Sequence, residues 1–273
     1  MIITSNSVKI NFEHFNSFDS QKDTVLLMHG FTGSLEDWRD IYSNFDERFN
    51  YVGIDLIGHG KSDSPFNIEN YKAESLISQI QTLLDHLSIN NVIILGYSMG
   101  GRAALKFAVS QPAKIKGLIL ESTTAGIKDE KDRAERRKSD EKLASYIEEN
   151  GTEKFAERWM DQDIFNTQRR FSDEKLKKIR NRIAQNSKTG LANTLRGFGT
   201  GKMPYFGDSL KLIQCPVHLI SGELDTKYCK MNLELEKKFT SAKNAVIKNA
   251  GHNTHLEEVD RFIQVVNNYL NTF

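Results

Sequence analysis

Val92-Ile93-Ile94-Leu95-Gly96-Tyr97-Ser98-Met99-Gly100-Gly101 joins an apolar, β-branched run to a helical stretch that Pro112 stops. Four consecutive apolar residues ending at a glycine read as a buried strand, and the periodicity beyond Ser98 predicts a helix to near Gln111. Between them lies Gly-x-Ser-x-Gly. The motif alone is weak, and a glycine-rich strand-to-helix turn can exist without chemistry. The strand before it and the helix after it make it specific. A serine here occupies a sharp, strained turn whose neighbours need to lack side chains. Its hydroxyl projects at a helix N-terminus, where the dipole favours developing negative charge.

The same alternation of strand and helix extends outward. Val25-Leu26-Leu27-Met28, Val52-Gly53-Ile54-Asp55, Gly117-Leu118-Ile119-Leu120, Val217-His218-Leu219-Ile220 and Ala245-Val246-Ile247 read as further strands. Strands that are largely apolar predict a mostly parallel, doubly wound α/β sheet covered on both faces. Residues 1–12 alternate apolar and polar and could add an antiparallel pair at one edge. Leu76, Ile77, Ile80, Leu83, Leu84 and Leu87 share one helix face, as do Val259, Phe262, Ile263, Val266 and Leu270. From Ser122 to about Pro204 the rhythm stops and only helical pattern remains. Lys128 to Arg182 carries 16 basic and 14 acidic residues, a mixture that reads as solvated helix faces. The expected organisation is a core of residues 1–121 and 205–273 with a helical cap, residues 122–204, over the strand ends.

Composition narrows the partners. The 273 residues carry 37 basic and 36 acidic side chains, a net charge of +1, which gives no electrostatic reason to expect nucleic acid or an anionic membrane. Cys215 and Cys229 form no CxxC or Cys/His cluster, so neither a zinc site nor a disulfide framework is expected. No apolar run approaches the ~18 residues of a spanning helix, and a cytoplasmic enzyme without membrane insertion is expected.

A nucleophilic serine in this context needs an acid and then a histidine later in the chain. His252 follows the strand at Val246 and precedes the last helix, where it can reach back over the sheet; His255 is the alternative. Asp225, in Ser221-Gly222-Glu223-Leu224-Asp225 after a late strand, is the expected acid that orients the imidazole, with Glu223 and Glu121 as alternatives. The two oxyanion donors are expected to be the backbone N–H groups of Met99 and Phe31, the latter in His29-Gly30-Phe31-Thr32-Gly33. His29 reads as a brace for that loop. Arg102 lies one helical turn past Ser98 on a helix expected to be buried. It either pairs with a core carboxylate such as Glu121 or grips a substrate carboxylate bidentately.

His29-Gly30-Phe31, Gly58-His59-Gly60, Gly96-Tyr97-Ser98-Met99-Gly100-Gly101, Gly222-Glu223-Leu224-Asp225 and Gly251-His252, in that order, resemble the α/β-hydrolase superfamily over the whole chain. Three further stretches are Gly100-Gly101-Arg102, residues 133–140 and residues 190–201. With them the chain resembles the 2-succinyl-6-hydroxy-2,4-cyclohexadiene-1-carboxylate synthase family. The resemblance implies elimination of pyruvate from a polycarboxylate enolpyruvyl precursor in menaquinone biosynthesis, with no metal or organic cofactor. It also implies carboxylate-binding arginines at Arg102, Arg136 and Arg182, the last across a one-residue shift that leaves Arg180 and Arg196 as alternatives. Tyr97 and Trp159 match positions lining that family's site. The superfamily also hosts carboxylesterases and C–C hydrolases, and such an activity on a small acidic substrate is the competing expectation.

Overall fold

Apolar strands need cover on both sides, and the sheet is built around that requirement. The computed structural model describes residues 1–273. In chain order the elements are β1 (Ile2–Ser5), β2 (Val8–His14), β3 (Thr24–Met28), α1 (Glu36–Arg39), β4 (Asn50–Ile54), α2 (Ala73–His86), β5 (Val92–Tyr97), α3 (Met99–Ser110), β6 (Ile115–Glu121), α4 (Glu130–Met160), α5 (Asp173–Ala184), α6 (Lys188–Phe198), β7 (Val217–Gly222), α7 (Thr226–Glu236), β8 (Ala242–Ile247), α8 (Thr254–Glu257) and α9 (Val259–Leu270). Eight strands form one sheet in the order β1-β2-β4-β3-β5-β6-β7-β8. β1, β2 and β4 pair antiparallel, and the strands from β4 through β8 pair parallel.

β3, β4 and β5 are buried at every residue. Ile80 and Leu84 of α2, Ala104 and Phe107 of α3 and Leu235 of α7 cover one face; Trp38 of α1 and Phe262, Val266 and Leu270 of α9 cover the other. β8 departs from the apolar run expected at Ala245–Ile247. It begins at Ala242, takes in Lys243 and Asn244, and leaves Val246 48% exposed. As the edge strand it has a neighbour on one flank only, so polar residues are tolerated there.

The strand order turns about β3, with β4 on one side and β5 on the other. A crevice therefore opens beyond the carboxyl ends of β3 and β5, the place where doubly wound sheets bind ligands. The loop after β3 begins at His29 and the turn after β5 holds Ser98.

Between β6 and β7 the chain forms α4, α5, α6 and short 3-10 turns, with no strand. Side chains of Asp129, Ser172 and Ser187 cap the three helices by accepting from Asp132, Lys175 and Gly190 backbone N–H groups. Gly151 breaks α4 at φ 78°, ψ 171°, a conformation essentially confined to glycine. The helices bury their own small cluster, including Ile147, Phe155, Leu191 and Leu195. They meet the sheet body where Gly190 passes Gly58; a Cβ on Gly58 would lie 2.8 Å from the Gly190 carbonyl oxygen.

Candidate active site

The crevice is shaped first by close backbone approach. A Cβ on Gly96 would lie 2.7 Å from backbone atoms of Gly100 and Gly101, and one on Gly100 would run into the carbonyl group of Met28. Only glycines let α3 start this close to β3 and β5. Ser98 sits between them at φ 48°, ψ −101°, a strained position for a non-glycine residue. Its N–H donates to the Glu121 carbonyl at 2.8 Å, and its own carbonyl accepts from Thr123 Oγ1 at 2.8 Å. Strand β6 thereby helps fix the turn.

His252 Nε2 lies 3.2 Å from Ser98 Oγ, and His252 Nδ1 lies 2.7 Å from Asp225 Oδ2. A carboxylate only accepts, so Nδ1 carries the proton and Nε2 is left to accept from the serine hydroxyl. Asp225 Oδ1 also accepts from the Tyr228 backbone N–H at 3.2 Å. Tyr228 packs its ring 4.6 Å from the imidazole, centroid to centroid.

The alternatives are engaged elsewhere. Glu121, fully buried, accepts from Thr254 Oγ1 at 2.7 Å, from the His255 N–H at 3.1 Å and from His255 Nδ1 at 2.7 Å. Glu223 accepts from the Asn249 N–H at 3.1 Å on the surface. Neither carboxylate reaches His252, and His255 does not reach Ser98. The Glu121–His255 pair was not foreseen, because its partners stand 134 residues apart.

The Phe31 and Met99 amides have no acceptor among the backbone hydrogen bonds of the chain. His29 holds the Phe31 loop. The Leu56 N–H donates to Nε2 at 3.0 Å, so Nδ1 is the protonated nitrogen and donates to the Gly30 carbonyl at 2.7 Å. Complete burial pushes His29 down to about 4, which keeps this tautomer neutral at physiological pH.

Ser98 opens into a cavity of about 550 Å³ lined by Tyr97, Arg102, Arg136, Trp159, Phe165, Lys227, Tyr228 and His252 among others. Arg102 is buried yet has no carboxylate partner. Its Nη1 donates to the Phe198 carbonyl at 2.6 Å, and the guanidinium lies 5.1 Å from the Phe198 ring centroid. Glu121 faces His255 and not Arg102, so the core ion pair considered from sequence does not form. Burial pushes Arg102 down to about 10, still charged at neutral pH. Arg136, on α4, pairs through Nε with Asp140 Oδ1 at 2.7 Å. Phe31 and Trp159 meet edge to face at 5.2 Å and form an aromatic wall. Burial raises the Tyr97 hydroxyl well above its ordinary range and leaves a neutral phenol.

Arg182 lies outside this cavity. It lines a smaller apolar recess behind Phe31, Tyr97 and Trp159 and sits 3.7 Å from Asp37 and 3.6 Å from Asp40. Of its sequence alternatives, Arg196 is taken by Glu141 and Glu148 at 2.7 and 2.6 Å, and Arg180 is exposed. Lys227 and Tyr228 line the cavity although the sequence reading did not single them out. Their signal was position: they follow Asp225 within one helical turn. No group of three or more His, Cys, Asp or Glu side chains gathers as a metal ligand set, and no helix is long and apolar enough to cross a membrane.

Residues 23–259 match the model of the alpha/beta hydrolase fold family. A relative from Bacillus subtilis (strain 168), provisionally named 2-succinyl-6-hydroxy-2,4-cyclohexadiene-1-carboxylate synthase, is 37% identical over 91% of this chain and 90% of its own. The synthase of that name from Enterobacter sp. (strain 638) is 30% identical over 85% of this chain and 86% of its own. The solved structure of MenH from S. aureus superposes with a TM-score of 0.90 at 29% identity, covering 96% of this chain and 98% of that one. The chain therefore belongs to the alpha/beta hydrolase fold family and, within it, to the 2-succinyl-6-hydroxy-2,4-cyclohexadiene-1-carboxylate synthases.

Proposed function

We propose that this protein is a carbon–oxygen lyase of menaquinone biosynthesis. It converts 2-succinyl-5-enolpyruvyl-6-hydroxy-3-cyclohexene-1-carboxylate to 2-succinyl-6-hydroxy-2,4-cyclohexadiene-1-carboxylate and pyruvate. The observation that carries the reading is a serine within hydrogen-bond distance of an aspartate-held histidine, facing the same cavity as a buried arginine with no carboxylate of its own, in a chain of this family.

The chemistry follows from those groups. Ser98 Oγ, passing its proton to His252 Nε2, removes the ring proton at C2, next to the succinyl ketone. Asp225 holds the imidazole and stabilises the imidazolium that forms. Negative charge delocalises onto the ketone oxygen, where the Phe31 and Met99 amides steady it. The electron pair then forms C2=C3, the C3=C4 pair moves to C4=C5, and the C5–O bond breaks. The leaving group departs as the enolate of pyruvate and takes up one proton, so the reaction balances without an oxidant or reductant.

Arg102 and Arg136 bind carboxylates of the trianionic substrate, and Tyr97, Phe31 and Trp159 form the apolar walls. Residues 122–204 act as the cap over this site. The substrate is a small polycarboxylate, and two free cysteines fit a cytoplasmic setting.

Pyruvate release, coupled to lactate dehydrogenase, tests the reading. The wild type should turn over the enolpyruvyl precursor, and Ser98→Ala should lose about 10³-fold or more in kcat while melting normally. A wild type that cleaves short neutral esters but releases no pyruvate would move the protein to the hydrolases.

A further inference from the structure

We infer that Lys227, beside Tyr228, is the third anion anchor of the cavity and holds the terminal carboxylate of the substrate's succinyl arm. The inference rests on the proposed lyase reaction, whose substrate carries three carboxylates: one on the ring, one on the enolpyruvyl group and one at the end of the succinyl arm. The cavity wall offers three cations: Arg102, Arg136 and Lys227. Arg182, the third arginine expected from sequence, lies behind the aromatic wall with Asp37 and Asp40. Asp140, Asp161 and Asp163 also line the cavity, so without Lys227 three substrate carboxylates would share two arginines, one of them already paired with Asp140.

The location of Lys227 is otherwise unexplained. It occupies the first turn of α7, where the helix dipole opposes a cation. It forms no ion pair; its Nζ stands 5.7 Å from the Tyr228 ring centroid. The Tyr228 hydroxyl has no hydrogen-bond partner within the chain, and burial raises it, so it remains a neutral donor. Together they offer an ammonium and a phenol to one carboxylate.

Geometry distributes the three anions. Arg102 is fixed by Phe198 and buried, which suits a carboxylate held rigidly on or near the ring. Lys227 lines the cavity yet is exposed, on a flexible four-carbon stem, which suits the freely rotating arm.

The test is steady-state pyruvate release by wild type, Lys227→Met and Lys227→Arg. Each is assayed on the full precursor and on a precursor whose succinyl carboxylate is a primary amide. Lys227→Met should raise KM for the full precursor about 5- to 10-fold, as expected for an exposed ammonium, with kcat within a few-fold, and Lys227→Arg should restore most of the loss. The amide should cost the wild type a similar factor and cost Lys227→Met nothing more. An unchanged KM, or an equal effect of Lys227→Met on both substrates, overturns the assignment while the lyase reading stands. If the wild type releases no pyruvate from the full precursor, the lyase reading fails and takes this assignment with it.

Discussion

β5 buries all six of its residues, whereas α4 buries only Asp140, Ala144, Ile147, Phe155 and Ala156 of its thirty-one. The first carries Ser98 at its end; the second carries Arg136 and Trp159. Groups on the sheet have almost no freedom. Ser98 is fixed by Glu121 and Thr123, and its glycine neighbours admit no side chain. Groups on the helical stretch sit among partners that compete for them: Arg136 with Asp140, Arg196 with Glu141 and Glu148, and Arg133 and Arg137 with Glu130. The difference teaches a division of labour. On the proposed function, preorganised chemistry would hang from a close-packed sheet, and substrate binding would draw on helices whose arginines already have carboxylate partners.

The largest expected effect breaks the sheet side. Asp225→Asn should lower kcat by about 10⁴-fold, because an amide can donate to Nδ1 and stabilise the tautomer whose Nε2 cannot accept from serine. Glu223→Gln should stay within about twofold, since Glu223 only caps the Asn249 N–H at the surface. Parallel kcat measurements on the two variants decide between these carboxylates, which lie two positions apart in the chain.

The two arginines sharpen the contrast between the sheet body, whose covering helix α3 carries Arg102, and the helical stretch, whose α4 carries Arg136. Arg102→Ala removes a buried cation that no carboxylate of the chain satisfies, and kcat/KM should fall about 10²-fold, or ~2.7 kcal/mol. Arg136 is already paired with Asp140 and two-fifths exposed, so part of its attraction to substrate is spent in displacing that partner. Arg136→Ala should cost about 10-fold, and that cost should shrink at high salt, since exposed charges are screened. If the two losses were equal, the division between fixed and adjustable cations would be wrong.

How much of this was legible in the sequence follows the same divide. β3 to β7 stood out because burial on both faces demands apolar residues at nearly every position, and β8 was trimmed because an edge strand does not. Ser98, Asp225 and His252 could be picked out because each follows a strand end, where the chain has to turn and a side chain can project into the crevice. The helical stretch gave its secondary structure but not its wall. The family resemblance implied Arg182 as a third carboxylate-binding arginine across a one-residue shift, and it lies in the recess behind Phe31; helical periodicity says which residues share a face, not which of two neighbouring cavities that face lines. Lys227 was overlooked because a lysine in a polar first turn reads as solvated. The Glu121–His255 pair depends on contact between β6 and α8, which no local pattern encodes.

The smallest effect separates the two regions by their response to acid. Burial pushes His29 down to about 4 and His59, packed 5.1 Å from it, to about 3, whereas in the unfolded chain each takes up a proton near its ordinary value of 6.5. Between those limits the unfolded state binds more protons than the folded one, so stability is complete above about pH 6.5 and is lost as pH falls toward 4. Each pH unit in that window costs up to ~1.4 kcal/mol per histidine. Both histidines belong to the sheet body, His29 in the loop after β3 and His59 within the Gly58–Gly60 turn. The ion pairs of α4 are largely exposed and contribute little either way. A series of thermal melts from pH 7.5 to 4.5 should therefore show Tm falling with acid. His59→Leu should flatten that slope, because it removes one of the protons taken up on unfolding; His14 and His218, also lowered by burial, keep part of it. The His59 Nε2 atom has no partner to lose, so the polar cost of the replacement is the 3.1 Å bond from Nδ1 to the Ile57 carbonyl. Glu130→Gln, which removes the carboxylate between Arg133 and Arg137, should leave the slope unchanged. A slope that followed Glu130 instead of His59 would put the acid-sensitive stability in the helical stretch and reverse the contrast.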